Sequence, residues 1–314
     1  MNTSTHTDSR DADHDATDTR HDSRETASDS TALADPATER ERVTSFLQNS
    51  VTDAAANGVV VNMSGGLDST VVAAAAVEAL GPDRVYGLIL PCNKAGTLHA
   101  RDAEGLAEAL EIEYDTIHLQ PLFAAFGSVA PDRFDLHDEP VLTGNAIARL
   151  RMTMAYLAAN ATNRLVCGTS NRSERLLGYV TKYGDGAADL LPIGHLYKTE
   201  VRLLADELGV PEFVVEKPPT AGILVGQRDV DDLGAPYEVI DAVLRAVIDE
   251  GIGGVTVDED VDSTAVAECV RSLSEDGMAV DTAVVSRLLD RYRSTEHKRS
   301  VPPMPTMPTG RTRE

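Results

Sequence analysis

Two serines, two glycines and a carboxylate stand together at Ser64-Gly65-Gly66-Leu67-Asp68-Ser69, and these residue types suit the binding of a polyphosphate. The run Val59–Val61 before them predicts a strand, and Thr70–Leu80 after them predicts a helix. A helix N-terminus offers unpaired N–H groups to an anion, and the glycines let the backbone approach it closely. A carboxylate beside a phosphate needs a cation between them, and Mg²⁺ typically takes one or two carboxylates plus phosphates. The segment therefore predicts a phosphate loop with Asp68 as a magnesium ligand.

The segment differs from the two commonest nucleotide-binding motifs. A Walker A loop needs Lys followed by Ser or Thr after its second glycine, and no lysine lies between Asn62 and Pro91. The spacing of the dinucleotide fingerprint G-x-G-x-x-G is missing as well. The alternative is an ordinary strand–turn–helix of small residues.

Strands alternate with helices around this loop. Predicted strands begin at Val59 and cover Arg84–Leu90, Ile112–Leu119 and Leu165–Gly168. Predicted helices cover Ala37–Asn57, Thr70–Leu80, His99–Leu110, Gly144–Thr162, Leu196–Leu208, Tyr237–Asp249, Thr264–Leu273 and Val280–Tyr292. This alternation is typical of an α/β fold with a doubly wound, mainly parallel sheet between two layers of helices. Ligands of such sheets bind beyond the carboxyl ends of the strands, where the Ser64–Ser69 loop lies.

Composition limits the partners and the compartment. The 314 residues include 51 acidic and 28 basic residues, for a net charge of −23, and this surface disfavours nucleic acid and anionic membranes. Only five residues are lysine, and an acidic, lysine-poor chain suits a salt-loving source, the alternative being an acidic mesophilic protein. Three cysteines without metal spacing fit a reducing cytoplasm.

We expect one domain between two tails. Residues 1–36 are polar and acidic and predict a disordered tail, because they cannot bury enough apolar surface to offset ordering entropy. Residues 37–303 form one α/β domain, and residues 304–314 form a flexible C-terminal tail. Within the domain, the glycine-rich segment Leu177–Pro192 suits a lid or ligand loop. Arg149 and Arg151 point about 200° apart on a helix, so one is expected to serve an anion and the other to pair structurally.

Four blocks of sequence carry a family resemblance: Ser64–Ser69, Asn145–Met152, Gly168–Thr199, and Lys217–Ala221 together with His297-Lys298-Arg299. Their order and content resemble those of the ammonia-dependent NAD synthetases, a family of ATP pyrophosphatases with an adenine-nucleotide-hydrolase-like, Rossmann-like fold. The resemblance covers about residues 40 to 303, and the long third block is its most specific part.

The resemblance implies a ligase that ends NAD biosynthesis. ATP would adenylate the nicotinate carboxylate of deamido-NAD, and ammonia would then displace AMP to give NAD. The family is homodimeric, and it uses Mg²⁺ with ATP as a co-substrate. Fewer than 60 residues precede the first strand, so no glutaminase domain is expected there, and free ammonia or a partner's ammonia is the expected nitrogen donor.

The resemblance also implies roles for single residues. The predicted ATP contacts are Ser64, Gly65, Gly66, Leu67, Asp68, Ser69, Thr169, Lys198 and Thr220. The predicted deamido-NAD contacts are Arg149, Lys182, Asp189, His297 and Lys298, and the predicted metal ligands are Asp68 and Glu174. Catalytic roles fall to Asp68, Asp185 and Lys198. For each residue taken singly, the alternative is a surface salt bridge.

One position departs from the family pattern, and three rival functions stay open. The family usually carries Gln-x-Asp-Glu after the Lys217 block, whereas Gln227-Arg228-Asp229-Val230 places a valine where the last carboxylate stands. A synthetase resembling GMP synthetase would share Ser64–Ser69 but would not need the segment Tyr179–Asp189. A nucleotide sensor without catalysis would not need Asp68 and Glu174, and an interaction protein would not need so many charges in glycine loops.

Overall fold

A parallel sheet of four strands lies at the centre of the protein in the computed structural model. The structure describes residues 35–305 except 135, 137, 221, 223–225 and 256–262. The strands are β1 (Val59–Asn62), β2 (Val85–Ile89), β3 (Glu113–Thr116) and β4 (Leu165–Cys167). Their order across the sheet is β3-β2-β1-β4, with Val59 opposite both Val85 and Leu165. The predicted doubly wound α/β fold is therefore confirmed.

Helices cover both faces of the sheet and form a separate group at the C-terminal end. In chain order they are α1 (Pro36–Asp53), α2 (Leu67–Leu80), α3 (Lys94–Ala109), α4 (Gln120–Val129), α5 (Pro140–Thr162), α6 (Arg172–Leu176), α7 (Lys198–Glu207), α8 (Glu212–Val215), α9 (Asp229–Leu233), α10 (Tyr237–Leu244), α11 (Ser263–Glu275) and α12 (Thr282–Ser294). A π-helical segment, Arg245–Asp249, continues α10. Among the described helices, none combines the length and the apolar character that a membrane crossing requires.

Alternate side chains of β1 divide the core into layers. Val59 and Val61 pack with buried residues of α1, α2, α3 and α7 on one face of the sheet. Val60 faces the other way and packs with buried residues of α5. A strand buried on both faces reads as a continuous apolar run, which is why Val59–Val61 shows no alternation. A third apolar cluster joins α10, α11 and α12.

The order of the strands locates the ligand site. β1 pairs with β2 on one side and with β4 on the other, so the chain reverses its winding direction between β1 and β4. The loop after β1 carries Ser64–Ser69, and the segment after β4 leads into α6 with Glu174. Open α/β sheets bind their ligands in the crevice at such a reversal point.

Several boundaries differ from the sequence predictions. Helix α2 begins at Leu67 rather than Thr70, so the phosphate loop runs directly into the helix through the extended Gly66. Helix α3 begins at Lys94, where a loop was expected, because the Asn93 side chain accepts a bond of 2.8 Å from Gly96 N and caps the helix. The strand predicted at Ile112–Leu119 ends at Thr116.

Other differences concern elements that the sequence pattern did not indicate. Helix α4 was not predicted; none of its residues is fully buried, and its apolar side chains Leu122, Phe126 and Val129 are exposed. Helix α9 lies between the predicted helices Leu196–Leu208 and Tyr237–Asp249, where no helix was predicted, and Gly234 ends it with a φ of 79°. Of the predicted N-terminal tail, Asp35 and Pro36 cap and begin α1, and residues 1–34 lie outside the described part. Residues 306–314 of the predicted C-terminal tail also lie outside it.

Candidate active site

The phosphate loop is a tight turn held by its own hydroxyl groups. The Ser64 and Ser69 hydroxyl oxygens lie 3.1 Å apart, and Gly66 N donates to Ser64 Oγ over 3.3 Å. Gly65 has a φ of 71°, a conformation that glycine adopts without a steric penalty. Lys217 Nζ donates to the Gly65 carbonyl oxygen over 3.0 Å. The turn therefore presents the N-terminus of α2 towards the carboxyl edge of the sheet.

Two carboxylates share one buried ammonium beside this turn. Lys198 begins α7 and is 3% exposed, and its Nζ bonds Asp68 and lies 3.2 Å from Glu174 Oε1. Asn171 is fully buried, and its Nδ2 donates to Asp68 Oδ1 over 2.9 Å. The Oδ1 atom of Asn171 accepts from Glu174 N over 3.0 Å, which caps α6. Residues far apart in sequence are thus connected into one acidic group.

Burial and unequal charge perturb the titration of this group. The pKa of Glu174 is raised to about 8, mainly by burial. The Asp68 carboxylate adds to this increase, and the Lys198 ammonium opposes it. Burial alone would lower the pKa of Lys198, but Asp68 and Glu174 more than offset it and hold that pKa above its ordinary value. With both carboxylates ionised, one ammonium leaves an excess negative charge, which the raised pKa of Glu174 relieves by protonation and which a bound divalent cation would offset instead.

The chemistry of these donors fits magnesium that is held jointly with phosphates. Among the described residues, no group of three or more His, Cys, Asp or Glu side chains could enclose a metal ion. Asp68 and Glu174 together supply two carboxylates at the end of the phosphate loop. Mg²⁺ in nucleotide enzymes is usually bound by one or two carboxylates, with water and substrate phosphates completing the shell. The pair therefore fits a substrate-bridged Mg²⁺ and does not fit an all-protein metal cage.

A third buried carboxylate, Asp229, lies near Lys198. Asp229 is 4% exposed, and it accepts from Tyr237 Oη over 2.9 Å and from Tyr179 Oη over 3.2 Å. Burial raises the pKa of Asp229, and the bonds from Tyr237 and the charge of Lys198 oppose that change. The ring of Tyr237 lies 5.2 Å from the Lys198 ammonium. Val230, the position that departs from the family pattern, is on the exposed side of α9.

Four of the five predicted dinucleotide residues form a second group. Lys182 Nζ bonds the carbonyl oxygen of His297, and the Lys182 carbonyl accepts from Arg149 Nη2 over 3.2 Å. Lys298 Nζ donates to the carbonyl oxygens of Gly178 and Val180 over 2.7 and 2.9 Å. The C-terminal basic residues thus support the glycine-rich segment of the third sequence block.

The two arginines of α5 diverge as their spacing predicts. Arg149 is exposed and faces Lys182, whereas Arg151 Nε donates to the Leu90 carbonyl over 3.1 Å at the end of β2. Burial lowers the pKa of Arg151. Arg149 therefore lies with the second group, and Arg151 lies against the edge of the sheet.

Two aspartates of the third block make structural bonds of their own. Asp185 Oδ1 accepts from Thr181 N over 3.0 Å, which closes a turn in the loop. Asp189 Oδ2 accepts from Val166 N over 2.8 Å, and its Oδ1 accepts from Tyr156 Oη over 3.2 Å. Within the described residues, no hydrogen bond joins either aspartate to the acidic group around Lys198.

Two predicted ATP contacts lie on the segments that border the phosphate loop. Thr169 is half-buried between β4 and α6. Thr220 is also half-buried, its Oγ1 accepts from Gly222 N over 3.1 Å, and the neighbouring Pro219 carbonyl accepts from Asp229 N over 3.0 Å.

Sequence reasoning missed Asn171, Asp229 and Tyr237. Asn171 could have been found, because an asparagine directly after a strand and before a short helix is a strong N-cap signal. Asp229 belongs to the motif Gln227–Val230, in which the family pattern carries an aspartate at this position, so the motif could have indicated it. Tyr237 carries no local signal, since its role depends on a contact with Lys198, 39 positions earlier (237 minus 198).

Comparison with known proteins decides the family. The sequence model of the NAD synthase family matches residues 39–302. The chain belongs to the NAD synthase family. The resemblance seen in the four sequence blocks is therefore confirmed.

Relatives within the family align over most of their length. The NH(3)-dependent NAD(+) synthetase of Halobacterium salinarum is 40% identical over 272 residues, which cover 87% of this chain and 94% of the relative. A solved NH3-dependent NAD synthetase of Campylobacter jejuni, in complex with nitrate, is 30% identical with a TM-score of 0.67 and covers 87% of this chain and 100% of that one. A solved NMN synthetase of Francisella tularensis is 33% identical with a TM-score of 0.70, over 87% and 99% of the two chains.

Proposed function

We propose that this chain catalyses the ATP-dependent amidation of deamido-NAD to NAD with ammonia. The reaction passes through a nicotinate adenylate and releases pyrophosphate and AMP. The observation that carries the proposal is the acidic group of Asp68, Glu174 and Lys198 beside the phosphate loop, in a chain whose family relatives are named NH(3)-dependent NAD(+) synthetase. We place the activity in the cytoplasm, which is consistent with three free, buried cysteines.

The phosphate loop binds the β- and γ-phosphates of ATP in this proposal. Ser64 to Ser69 supply hydroxyl groups and backbone N–H groups, and Leu67 is buried behind them as the first residue of α2. Asp68 and Glu174 would hold Mg²⁺, and the bound ion would supply positive charge to the departing pyrophosphate. Lys198 supplies a further positive charge to the phosphates. Thr169 and Thr220 contact the nucleotide from the bordering segments.

The second group binds the dinucleotide. Arg149, Lys182 and Lys298 bring three cations to the glycine-rich segment, and the carbonyl oxygen of His297 accepts from Lys182. Asp189 contacts the substrate through the oxygen that Tyr156 now bonds. Cations here suit a substrate with two phosphates. Asp185 lies in the same loop and acts near the reacting carboxylate, where a carboxylate can accept a proton from the attacking ammonia.

A second candidate function is the amidation of a mononucleotide. It is favoured by the similarity to a protein named NMN synthetase, whose TM-score of 0.70 is comparable to that of the NAD synthetase neighbour. The activation chemistry at the phosphate loop would be unchanged. Only the second group would differ in what it contacts, because a mononucleotide lacks the adenylate half of deamido-NAD.

The deciding experiment measures products from purified protein with ATP, Mg²⁺ and ammonium at molar KCl. Deamido-NAD and nicotinate mononucleotide are supplied in separate and in competing reactions, and glutamine replaces ammonium in a parallel set. NAD formation with one AMP for each turnover supports the proposal. Preference for the mononucleotide supports the second candidate. Pyrophosphate release without either amide would assign a different acceptor, and no product at all would favour a nucleotide sensor.

We also propose that the protein is a homodimer that pairs through α4 and the start of α5. Four exposed apolar side chains lie there: Phe126 is 45% exposed, Val129 79%, Phe134 50% and Val141 74%. Exposed apolar side chains concentrated in one stretch of chain favour an interface. Val129→Asp should shift the mass measured by light scattering towards the monomer. Leu98→Asp, at an apolar position on α3 that is 68% exposed, is the matched control and should leave the dimer intact. A dimer that survives both changes would refute this surface.

A further inference from the structure

A stripe along α10 faces the start of α7, where Lys198 is located. Tyr237, Asp241 and Arg245 are spaced by four residues and therefore share one face of the helix. The Tyr237 ring lies 5.2 Å from the Lys198 ammonium, and Arg245 Nη2 lies 2.8 Å from Glu200 Oε1 on α7. Asp241 lies between these two and is 3% exposed.

Asp241 holds the first turn of α7 through both of its oxygens. Its Oδ2 accepts from Thr199 N over 2.9 Å, and its Oδ1 accepts from the Ser173 hydroxyl. The Ser173 oxygen in turn accepts from Lys198 N over 2.9 Å. Two of the N–H groups that the start of a helix leaves unpaired are thus satisfied by one carboxylate and one hydroxyl. Ser173 directly precedes Glu174, so the same bonds fix the helix that carries the second predicted metal ligand.

Asp241 has no ion-pair partner among the described residues. Burial raises the pKa of its carboxyl, the hydrogen bonds from Ser173 and Thr199 oppose that change, and the Glu200 carboxylate adds to it. The N-terminus of the ten-residue α7 supplies the compensating partial charge. A buried carboxylate kept without a counter-ion is costly unless its hydrogen bonds are fixed. The hydrogen bonds and the partial charge that offset this cost are present only while α7 begins at Lys198.

We infer that Asp241 is a positioning residue for Lys198. Through Thr199 N and the Ser173 hydroxyl, it fixes the point from which the Lys198 side chain extends between Asp68 and Glu174. The C-terminal helices α10 to α12 are thereby coupled to the phosphate site. The inference rests on one part of the proposed function, the contact between Lys198 and the phosphates of ATP.

A double-mutant cycle tests this coupling. The dissociation constant of Mg·ATP is measured by titration calorimetry, without deamido-NAD, for the parental chain, Asp241→Asn, Lys198→Met and the double variant. Asp241→Asn should weaken Mg·ATP binding about tenfold in the parental chain and less than twofold beside Lys198→Met, because contacting groups are not additive. Glu238→Gln is the matched control on the same helix, with a side chain 56% exposed, and should bind as the parent does.

Turnover separates positioning from a merely structural role. Asp241→Asn should lower kcat about tenfold and leave the KM for deamido-NAD within twofold. Ser173→Ala interrupts the same chain of bonds and should act in the same direction, which keeps the test valid if Asp241→Asn folds poorly. The inference would be overturned if Asp241→Asn weakened Mg·ATP binding as much in the Lys198→Met chain as in the parental chain. It would also be overturned if Asp241→Asn lowered the Tm while the affinity and kcat stayed parental. A parental chain that binds Mg·ATP and forms no NAD would refute the proposed function and leave the cycle informative.

Discussion

Gly65 offers a direct test of the phosphate loop, because the structure predicts two separate costs for Gly65→Ala. The first is conformational: a φ of 71° places an L-residue in the left-handed region, at a cost of roughly 1–2 kcal/mol. The second is steric: an added Cβ would lie 2.7 Å from the His99 carbonyl oxygen and 3.0 Å from Ala103 N, both on the backbone of α3. Backbone atoms cannot rotate away, so the loop must move, and overpacking of this kind costs about 1–3 kcal/mol.

Gly209 separates the two costs. It has a φ of 69°, and a Cβ there would meet nothing within 4 Å. Gly209→Ala should therefore lose only the conformational part, and Gly65→Ala should lose about 1–3 kcal/mol more in urea unfolding at fixed salt. Turnover should stay parental in Gly209→Ala and fall in Gly65→Ala, because the shifted loop moves Gly66 N and the start of α2. Equal losses of stability with full activity in both variants would refute the packing of the loop against α3.

Three further predictions concern charge and chain ends. Lys198→Met leaves Asp68 and Glu174 without their shared cation and should lower the free energy of unfolding by about 3 kcal/mol. Adding Mg²⁺ should then raise the Tm of the variant more than that of the parent. Equal shifts would contradict the metal assignment. Asp68→Ala should stop pyrophosphate release with an unchanged circular dichroism spectrum, and unchanged turnover would remove Asp68 from the metal site. Deleting residues 1–34, which keeps the Asp35 cap of α1, should leave activity and Tm nearly unchanged at molar KCl. A large loss of either would show that the segment packs on the domain.

The halophilic character of the chain stays a prediction from composition. A net charge of −23 implies self-repulsion that salt screens. Tm should therefore rise between 0.1 and 2 M KCl, measured by differential scanning fluorimetry. Independence of KCl over that range would contradict the prediction.

The local conformations and the binding chemistry were determined by the sequence itself. The apolar run Val59–Val61, the glycines after it and the helix beyond them predict a strand, a turn and an anion site, because each depends on neighbouring residues alone. The alternation of strands and helices predicts the parallel sheet, because each helix returns the chain to the end of the sheet from which the preceding strand began. Helix boundaries were less exact where a side-chain cap decided them, as Asn93 does for α3.

The partners of the charged side chains were decided only by the tertiary structure. Lys198 meets Asp68 across 130 positions of chain and Glu174 across 24, and nothing in the local pattern distinguishes this lysine from one in a surface ion pair. Asp241 reads in sequence as a polar residue of an amphipathic helix, yet it is 3% exposed and caps another helix. Sequence periodicity indicates which face of an element is buried, but the group that this face meets depends on how the layers pack. The residues that could perform the chemistry can therefore be predicted from the sequence. The contacts that position them form only in the folded chain.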